Sequence, residues 1–139
     1  MFKAKDVMTT DVVTVRLDDT IDEAVSLLLE HEISGLPVLD TAGSLVGIIT
    51  EFDLLELICD CRAERDKVRH YMSTDVCTVA ENEDWVRVAD IFRNNHMRRL
   101  PVTRDGKLVG IIARHDLMRT IRDARRRVRK ELARNAASS

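Results

Sequence analysis

The sequence has few residues that break regular structure and few aromatic residues. Five Gly and two Pro among 139 residues, with 45% hydrophobic residues, exclude a disordered or fibrous chain. No run of 18 apolar residues occurs, and the opening MFKAKDVMTTDVV lacks an apolar stretch followed by a small-residue cleavage site. The three Cys are an odd number without a framework spacing, which argues against a disulfide scaffold. We therefore expect a cytoplasmic globular protein without a membrane segment, built as one domain or as two half-size modules.

The net charge of -2 hides an uneven distribution along the chain. Residues 1–61 carry three basic and 13 acidic side chains, a net charge of -10. Residues 62–113 carry 10 basic and 8 acidic side chains. Residues 114–139 carry nine basic and three acidic side chains, a net charge of +6. Because no uniformly basic surface results, nucleic-acid binding is not expected. The acidic first half should instead face the basic second half or tail, within the fold or within an oligomer.

The chain contains an internal repeat. A shift of 64 residues places MTTDVVTV, at 8–15, on MSTDVCTV, at 72–79, and also superimposes the two Leu-Pro-Val segments at 36–38 and 100–102. A shift of 63 residues places GSLVGII, which starts at Gly43, on GKLVGII. The one-residue difference lies in a turn, where an insertion is tolerated. The protein is therefore predicted to consist of two similar units.

Each unit predicts the same order of elements: strand, helix, strand, turn, strand, helix. The first strands are expected at Val12–Val15 and at Val76–Val79. Thr20, followed by Glu23, has the capping-box pattern that starts a helix. A unit of this size cannot bury both faces of its sheet alone, so the two units should pack sheet to sheet about a pseudo-twofold axis. The predicted fold class is α/β (α+β).

These duplicated motifs resemble a known family. A Met-Thr/Ser-Thr-Asp-Val opening, a Leu-Pro-Val strand and a Gly-Ile-Ile strand followed by Asp-Leu, twice in tandem, resemble a pair of cystathionine β-synthase (CBS) domains, the arrangement called a Bateman module. The resemblance covers about residues 5–121. We divide the chain into repeat 1 at 1–61, a linker at 62–69, repeat 2 at 70–121 and a basic helical extension at 122–139.

The resemblance also implies a function. It implies a regulatory or sensor module that binds AMP, ADP or ATP, with S-adenosylmethionine or a dinucleotide as other possible ligands, and that controls a separate partner protein. It implies no catalytic residue, no cofactor and no metal. A non-catalytic interaction module with vestigial clefts, recruiting a partner through the basic C-terminal helix, is the alternative. An enzyme is poorly supported because no acid–base or nucleophile constellation is present.

The most informative candidate site is GIITEFD, at 47–53. A helix that starts after a strand presents free backbone amides and the positive end of its dipole. At this place Asp53 could accept both hydroxyls of a ribose, and the Thr50 hydroxyl could meet a phosphate. Thr-x-x-Asp is also a capping box, which satisfies the same helix start without a ligand. The spacing leaves both possibilities open, and the family resemblance favours the nucleotide role for Asp53.

The second copy differs from the first at this point. Ala113 replaces the Thr, so a capping box explains Asp116 less well, and equal occupancy of the two clefts does not follow. Arginines at the neighbouring strand ends could bind phosphate by paired hydrogen bonds, which predicts that the copy-two cleft prefers the more highly phosphorylated ligand. The nucleotide-binding residues implied by the resemblance and by these patterns are Thr10, Val13, Ser34, Gly35, Pro37, Thr50, Asp53, Thr74, Cys77, Arg98, Arg99, Pro101, Arg114, His115 and Asp116.

Two other features have simpler interpretations. Cys59 and Cys61 could suggest a soft-metal site, but a second ligand pair at zinc spacing is missing, so free thiols at a helix end are expected. Apolar residues at spacings of three and four through 117–132 predict that an amphipathic basic helix extends the last CBS helix. Its basic face is expected to be solvated, or else to dock on the acidic surface of a second chain, with nucleic acid or membrane contact as the last alternative. We expect a homodimer. Its two chains are expected to pair antiparallel, because a parallel arrangement would place the two halves of charge -10 against each other.

Overall fold

The structure is a computed structural model that describes residues 2–59 and 66–138. The elements of the first described range are α1 (Ala4–Val7), β1 (Val15–Arg16), α2 (Ile21–His31), β2 (Gly35–Leu39), β3 (Leu45–Thr50), α3 (Glu51–Leu54) and a 3₁₀ segment (Leu55–Ile58). Those of the second are a 3₁₀ segment (Val68–His70), β4 (Val79–Ala80), α4 (Trp85–Asn95), β5 (Arg99–Arg104), β6 (Lys107–Ala113) and α5 (Arg114–Ser138).

The two sheets have the same topology. In the first, β2 lies between β1, its parallel neighbour, and β3, its antiparallel neighbour. In the second, β5 lies in the same way between β4 and β6. This duplication confirms the predicted two-repeat α/β fold. The first strands begin later than predicted: within each predicted strand only the last residue, Val15 or Val79, pairs with the central strand, and the pairing continues to Arg16 and Ala80.

The sequence explains where the helices begin. The Thr20 hydroxyl accepts a hydrogen bond from the backbone N–H of Glu23 at 3.2 Å, and the Glu23 carboxylate accepts one from the backbone N–H of Thr20 at 3.1 Å. This confirms the predicted capping box at the start of α2. At the start of α4, Asp84 caps the helix by accepting a hydrogen bond from the N–H of Val86 at 2.9 Å. Both helices therefore begin where a side chain satisfies a free backbone amide.

Each repeat has its own hydrophobic core, and each core includes a segment from the other half of the chain. Ala4 and Val7 of α1 are buried in the core of the second sheet. Val68 is fully buried in the core of the first sheet, and Tyr71 and Met72 pack against that core. The described part of the expected linker, residues 66–69, therefore belongs to the packed structure of repeat 1, while residues 60–65 lie outside the described residues.

Reciprocal backbone pairing ties the repeats together. Thr9 and Ile111 of β6 exchange two N–H···O bonds of 2.8 and 2.9 Å. Ser73 and Ile48 of β3, the equivalent residues, exchange two bonds of 2.8 and 2.9 Å. Because each unit's leading segment binds the last strand of the other unit, the contacts have the reciprocity that a pseudo-twofold arrangement predicts.

Two glycines permit this close approach. A Cβ atom at Gly110 would lie 2.3 Å from Sδ of Met8, and one at Gly47 would lie 2.7 Å from Sδ of Met72. These distances are shorter than any normal van der Waals contact, so a side chain at either position would push the leading segment away from the strand. Gly in both Val-Gly-Ile-Ile strands therefore has a packing role between the repeats.

The last helix runs for 25 residues, which confirms that the basic segment extends the closing helix of repeat 2. Its first turns bury Asp116 and Leu117 against the second core, whereas Val128 and Leu132 are exposed. The Arg127 guanidinium lies 5.8 Å from the centre of the Phe2 ring, which joins the helix to the first residues of the chain. Among the helices that the structure describes, none is long and apolar enough to cross a membrane.

Candidate functional site

A cleft of about 550 Å³ opens where the two repeats meet. Its lining is mostly apolar, with a few polar and charged groups at its edge, which is the usual composition of a small-ligand pocket. Repeat 1 contributes Ser34, Gly35, Leu36, Pro37, Ile48, Thr50, Glu51, Phe52 and Leu55. Repeat 2 contributes Met97, Arg98, Arg99 and Ile111.

The cleft contains equivalent residues from both repeats, so it straddles the pseudo-twofold axis. Ile48 of β3 and Ile111 of β6 are one such pair, and Gly35 and Arg99, at the starts of the two central strands, are another. The sequence analysis assigned the arginines to a separate copy-two cleft. The structure places Arg98 and Arg99 in the same cleft as the Thr50 edge of repeat 1.

The copy-one helix start is built as the capping-box pattern predicts. Oδ2 of Asp53 accepts hydrogen bonds from the backbone N–H of Thr50 at 2.9 Å and from its hydroxyl at 3.0 Å. Asp53 is half-buried and does not itself line the cleft, whereas the three residues before it, Thr50, Glu51 and Phe52, do. Oδ1 of Asp53 accepts no hydrogen bond from residues 2–59 or 66–138. One carboxylate oxygen is therefore committed to the helix cap.

The start of α5 in repeat 2 keeps one of the two parts of the capping box, because Ala113 has no hydroxyl. Oδ2 of Asp116 accepts a hydrogen bond from the backbone N–H of Ala113 at 2.8 Å. Oδ1 is bonded to the Arg119 guanidinium and lies 3.5 Å from the Thr9 hydroxyl, a donor from the other repeat. Without a hydroxyl at Ala113 the full capping box is absent, as expected, but the carboxylate still caps the backbone N–H of Ala113. Asp116 is only 6% exposed.

The two arginines of the cleft supply its positive charge. Arg98 is exposed and Arg99 is half-buried at the start of β5. Within the described ranges, neither guanidinium forms an ion pair, so both are available to an anion. Arg114 and His115 are exposed on the first turn of α5 and do not line this cleft.

The other expected site residues lie in several places. Pro37 is buried in the wall of the cleft, and Pro101 is fully buried. Thr74 lines a second, smaller cleft of about 230 Å³ together with Val76 and Thr78. The remaining expected residues do not line either cleft: Thr10 and Cys77 are exposed, and Val13 packs against the first core.

The sequence analysis missed most of the apolar lining. Ile48 and Ile111 face the cleft, while Ile49 and Ile112, next to them, are fully buried in the cores. Adjacent residues of a strand point to opposite faces, so each Ile-Ile pair indicates a sheet that is apolar on both faces. That signal was present in the sequence. The positions of Leu55 and Met97 depend on how the repeats pack and carried no such signal.

The described residues show little sign of metal chemistry. No group of three His, Cys, Asp or Glu side chains arranged to hold a metal ion occurs within residues 2–59 and 66–138. Cys59 is an exposed free thiol, and Cys61 lies outside the described residues.

Comparison with known protein families identifies both repeats. The family model of the CBS domain matches residues 4–60 and again residues 68–123. The CBS domain-containing protein YhcV of Bacillus subtilis is 35% identical over 118 residues, which are 84% of this chain and 84% of that protein. Inosine-5'-monophosphate dehydrogenase of Methanocaldococcus jannaschii is 36% identical over 84% of this chain, which spans only 23% of the enzyme.

Solved structures show the same fold. The crystal structure of CBSX2 in complex with AMP has a TM-score of 0.82 at 28% identity, covering 90% of this chain and 99% of that one. The CBS domain pair of protein MJ0100, in complex with 5'-methylthioadenosine and S-adenosyl-L-methionine, has a TM-score of 0.76 at 28% identity, covering 89% and 98%. The duplicated sheets, the reciprocal pairing and the two family matches lead to one conclusion: the chain belongs to the CBS domain family and carries two CBS domains in tandem.

Proposed function

We propose that this CBS pair binds an adenine nucleotide in the 550 Å³ cleft and acts as a regulatory or sensor module without chemistry of its own. One observation carries the proposal: a single apolar cleft has Thr50, next to the Asp53 carboxylate, at one wall and Arg98 and Arg99 at the other. A nucleoside phosphate needs an apolar surface for its base, an acceptor for its ribose hydroxyls and cations for its phosphate. The AMP complex of CBSX2 and the adenosyl ligands of MJ0100 support the same ligand class.

Each part of the ligand has a matching group in the cleft or, for the ribose, in the residue next to its lining. The Ile48 and Ile111 side chains offer apolar surface to the base. Oδ1 of Asp53 is free to accept a ribose hydroxyl, and the Arg98 and Arg99 guanidinium groups are free to bind the phosphate. Because residues of both repeats line the cleft, a bound nucleotide would contact both repeats. It would thereby stabilise the arrangement in which they pack together.

The curated relatives support the regulatory role. The chain matches less than a quarter of the dehydrogenase, 23% of its length, so in that relative the CBS pair accompanies a much larger enzyme. We infer that here too the module transmits nucleotide binding to a partner protein.

The module is proposed to act as a homodimer. Exposed apolar side chains lie on both closing segments: Phe52, Leu55 and Ile58 in repeat 1, and Met118, Ile121, Val128 and Leu132 in repeat 2. An exposed apolar stripe of this kind is usually buried by a partner, and a twofold interface would bury it twice. The -10 charge of residues 1–61 favours the antiparallel pairing, which brings that half against the basic half of the second chain.

A melting-temperature and calorimetric titration tests the nucleotide function. AMP, ADP, ATP and S-adenosylmethionine are each added at millimolar concentration to the full chain, with guanosine monophosphate as the matched control. A dissociation constant near 10 μM would stabilise the folded state by about 1.4 kcal/mol at tenfold excess ligand. An unchanged melting temperature and a flat calorimetric baseline with all four adenosyl compounds contradict the proposal.

The alternative is an interaction module that works through its basic helix. It is favoured by one observation: α5 extends well past the second core with exposed arginines. Deletion of residues 122–139 separates the two functions. A nucleotide-binding module keeps its ligand affinity after the deletion, whereas an interaction module binds no nucleotide as the full chain and loses its protein partner after the deletion.

A further inference from the structure

The last helix continues well beyond the part of the chain that matches the family. The CBS family model ends at residue 123, whereas α5 runs to Ser138. At 1.5 Å per residue, the helix past residue 123 is about 22 Å long. Every residue of α5 from Ile121 to Ser138 is exposed except Ala124, which is half-buried. The extension, residues 122–138, therefore presents a surface that lies outside the family match.

The side of α5 that faces the protein is marked by its buried and half-buried residues. Asp116 and Leu117 are buried, and Thr120 and Ala124 are half-buried. At about 100° per residue, these four residues share one side of the helix. This packed side contacts β6 and α1. The opposite side of the extension therefore faces away from the protein.

That outward side carries arginines. An arc of about 100°, centred opposite the packed side, contains Arg122, Arg125, Arg126 and Arg129, which we call the arginine face. The two acidic residues of the extension, Asp123 and Glu131, lie outside this arc. Within the described residues, Arg122 is the one member that forms an ion pair, with Asp123 at 3.3 Å. The other three guanidinium groups are available to an anion.

Two lysines from the other end of the chain lie beside this helix. Lys3 and Lys5 are exposed on either side of Ala4, and α1 packs on α5. They are two of the three basic residues in the otherwise acidic stretch 1–61. In the sequence these charges belong to the acidic half, whereas in the fold they lie next to the basic helix. Positive charge is therefore more concentrated in space than along the chain.

The composition of the arginine face favours a nucleic acid over a protein as the partner. The other residues of the extension within its arc are Ala133 and Ala136, so the face has no large apolar or aromatic side chain. The centre of a protein interface is apolar and depleted in charge, whereas interfaces with nucleic acid are strongly positive. Guanidinium groups bind phosphate by paired hydrogen bonds. Because no aromatic ring is present to stack on unpaired bases, the face fits a duplex better than a single strand.

The apolar side chains of the extension argue against a membrane as the partner. Val128 and Leu132 lie between the arginine face and the packed side. A helix that lies on a membrane buries its apolar side in the lipid. Here the apolar side is turned toward the packed side, while the arginines point away from the protein. The outward side therefore offers charge alone, and the apolar side remains available to the proposed dimer.

We propose that the arginine face binds the phosphodiester backbone of double-stranded nucleic acid without reading its sequence. Arg122 and Arg129 are about 10 Å apart along the helix axis, a length over which each strand of a duplex presents about three phosphates. Charge counted by segment placed nucleic acid last among the partners of this helix, and the side on which each arginine lies reverses that order. The inference is independent of the nucleotide function, because no residue of α5 lines the 550 Å³ cleft.

Fluorescence anisotropy of a labelled DNA duplex, and of an RNA duplex of the same sequence, measures binding to the full chain. If all four arginines neutralise phosphates, raising the salt concentration from about 50 to about 200 mM should weaken binding roughly a hundredfold. A duplex of scrambled sequence should bind equally well, because a backbone contact carries no sequence information.

A triple variant, Arg125→Gln with Arg126→Gln and Arg129→Gln, removes three charges and keeps good helix formers. It should weaken duplex binding at least tenfold at low salt and make the salt dependence shallower. The matched control neutralises three exposed cations outside α5 that form no ion pair within residues 2–59 and 66–138: Arg16→Gln, Arg87→Gln and Lys107→Gln. It changes the net charge equally and should alter binding by less than about threefold. Lys at the same three positions of α5 keeps the charge and should preserve most of the binding.

The outcomes separate this proposal from the other partners. No duplex binding by the native chain at low salt overturns it, and so do equal losses in the two Gln variants. If the α5 variant fails to fold, the native chain decides, because binding that is indifferent to salt overturns the proposal. Vesicles containing phosphatidylserine that bind the native chain when neither duplex does assign the face to a membrane. Dissociation of the dimer by the α5 variant, without duplex binding by the native chain, assigns it to a second copy, and either result overturns the proposal. None of these results bears on the binding of adenine nucleotides.

Discussion

The backbone of Thr9 is paired with that of Ile111 by two hydrogen bonds of 2.8 and 2.9 Å, although 102 residues separate them in the chain. The leading segment of the first repeat is thereby paired with β6, the last strand of the second repeat. The equivalent pair, Ser73 and Ile48, makes the same connection in the opposite direction. The two CBS domains are therefore joined by secondary structure as well as by the cleft.

Gly110→Ala should destabilise the protein. The new methyl group would lie 2.3 Å from Sδ of Met8, so the leading segment must shift, at a cost of about 1 to 3 kcal/mol. Met8→Ala in the same chain removes the obstructing side chain, and the double variant should lose less stability than the sum of the two single variants. Urea unfolding of the four proteins measures this coupling. Additive losses would show that the methyl group meets no obstacle at Met8.

Val68→Ala should destabilise the protein by about 2 kcal/mol, because it opens a cavity in the first core, where Val68 is fully buried. Val86→Ala is the control, since this side chain is 53% exposed on α4 and its loss should change stability by no more than about 0.5 kcal/mol. Denaturant unfolding followed by circular dichroism compares them. Equal stability of the two variants would contradict the place of residues 66–69 in the core of repeat 1.

The Asp18 carboxylate predicts a pH dependence of stability. A side-chain hydrogen bond from Arg69, 3.0 Å from Nε to Oδ1, lowers the pKa of Asp18 below its ordinary value, and Lys67 adds to the effect. A lowered pKa in the folded state means that this contribution is fully present above the ordinary pKa and is lost as the pH falls through the lowered value.

Asp18→Asn should therefore have a lower melting temperature than the native chain above about pH 5, and the difference should shrink as the pH falls below about 4. Asp22→Asn, an exposed acid of α2, is the control and should show a smaller pH-dependent difference. A difference between Asp18→Asn and the native chain that grows on acidification contradicts the assigned sign.

The proposed homodimer should depend on the apolar stripe of the closing helix. Val128→Glu places a charge among the exposed Ile121, Val128 and Leu132 side chains and should shift the protein toward monomer by at least tenfold in dissociation constant. Val86→Glu, on the exposed face of α4, is the matched control and should leave the assembly unchanged.

Light scattering over a range of protein and salt concentrations measures the assembly. If charge sets the antiparallel orientation, the dimer should weaken at high ionic strength. A native chain that is monomeric at all concentrations contradicts the dimer, and a dimer indifferent to salt contradicts the electrostatic argument for its orientation.

The sequence predicted the fold because the repeat was explicit. Two copies of Leu-Pro-Val and of Gly-Ile-Ile gave the central and last strands, and the Thr20 capping box gave the start of α2. It did not predict the length of the first strands, because Val12 and Val13 have strand propensity but no partner on β2.

The sequence predicted which residues line a cleft better than it predicted which residues meet across that cleft. Thr50, Arg98 and Arg99 line one common cleft, whereas the sequence suggested a separate copy-two cleft for the arginines. Local patterns show which residues follow a strand end, whereas the residues that meet across the cleft depend on how two units separated in sequence pack together. Asp116 and Arg119 are three residues apart on a helix, a spacing at which side chains can pair and which was visible in the sequence. Glu56 occupies the position in repeat 1 that is equivalent to Arg119, but this difference becomes informative only once Asp53 and Asp116 are located.

The exchange of core segments also constrains how the chain can be made. Ala4 and Val7 are synthesised before the rest of the core that buries them, because that core includes Ile112 and Leu117, which lie more than 100 residues later in the chain. The core of the first repeat likewise is complete only after Val68 has been synthesised. Folding during synthesis therefore has to proceed with the amino-terminal helix undocked, and the long sequence separation of these contacts favours slow formation of the complete module after both repeats have emerged.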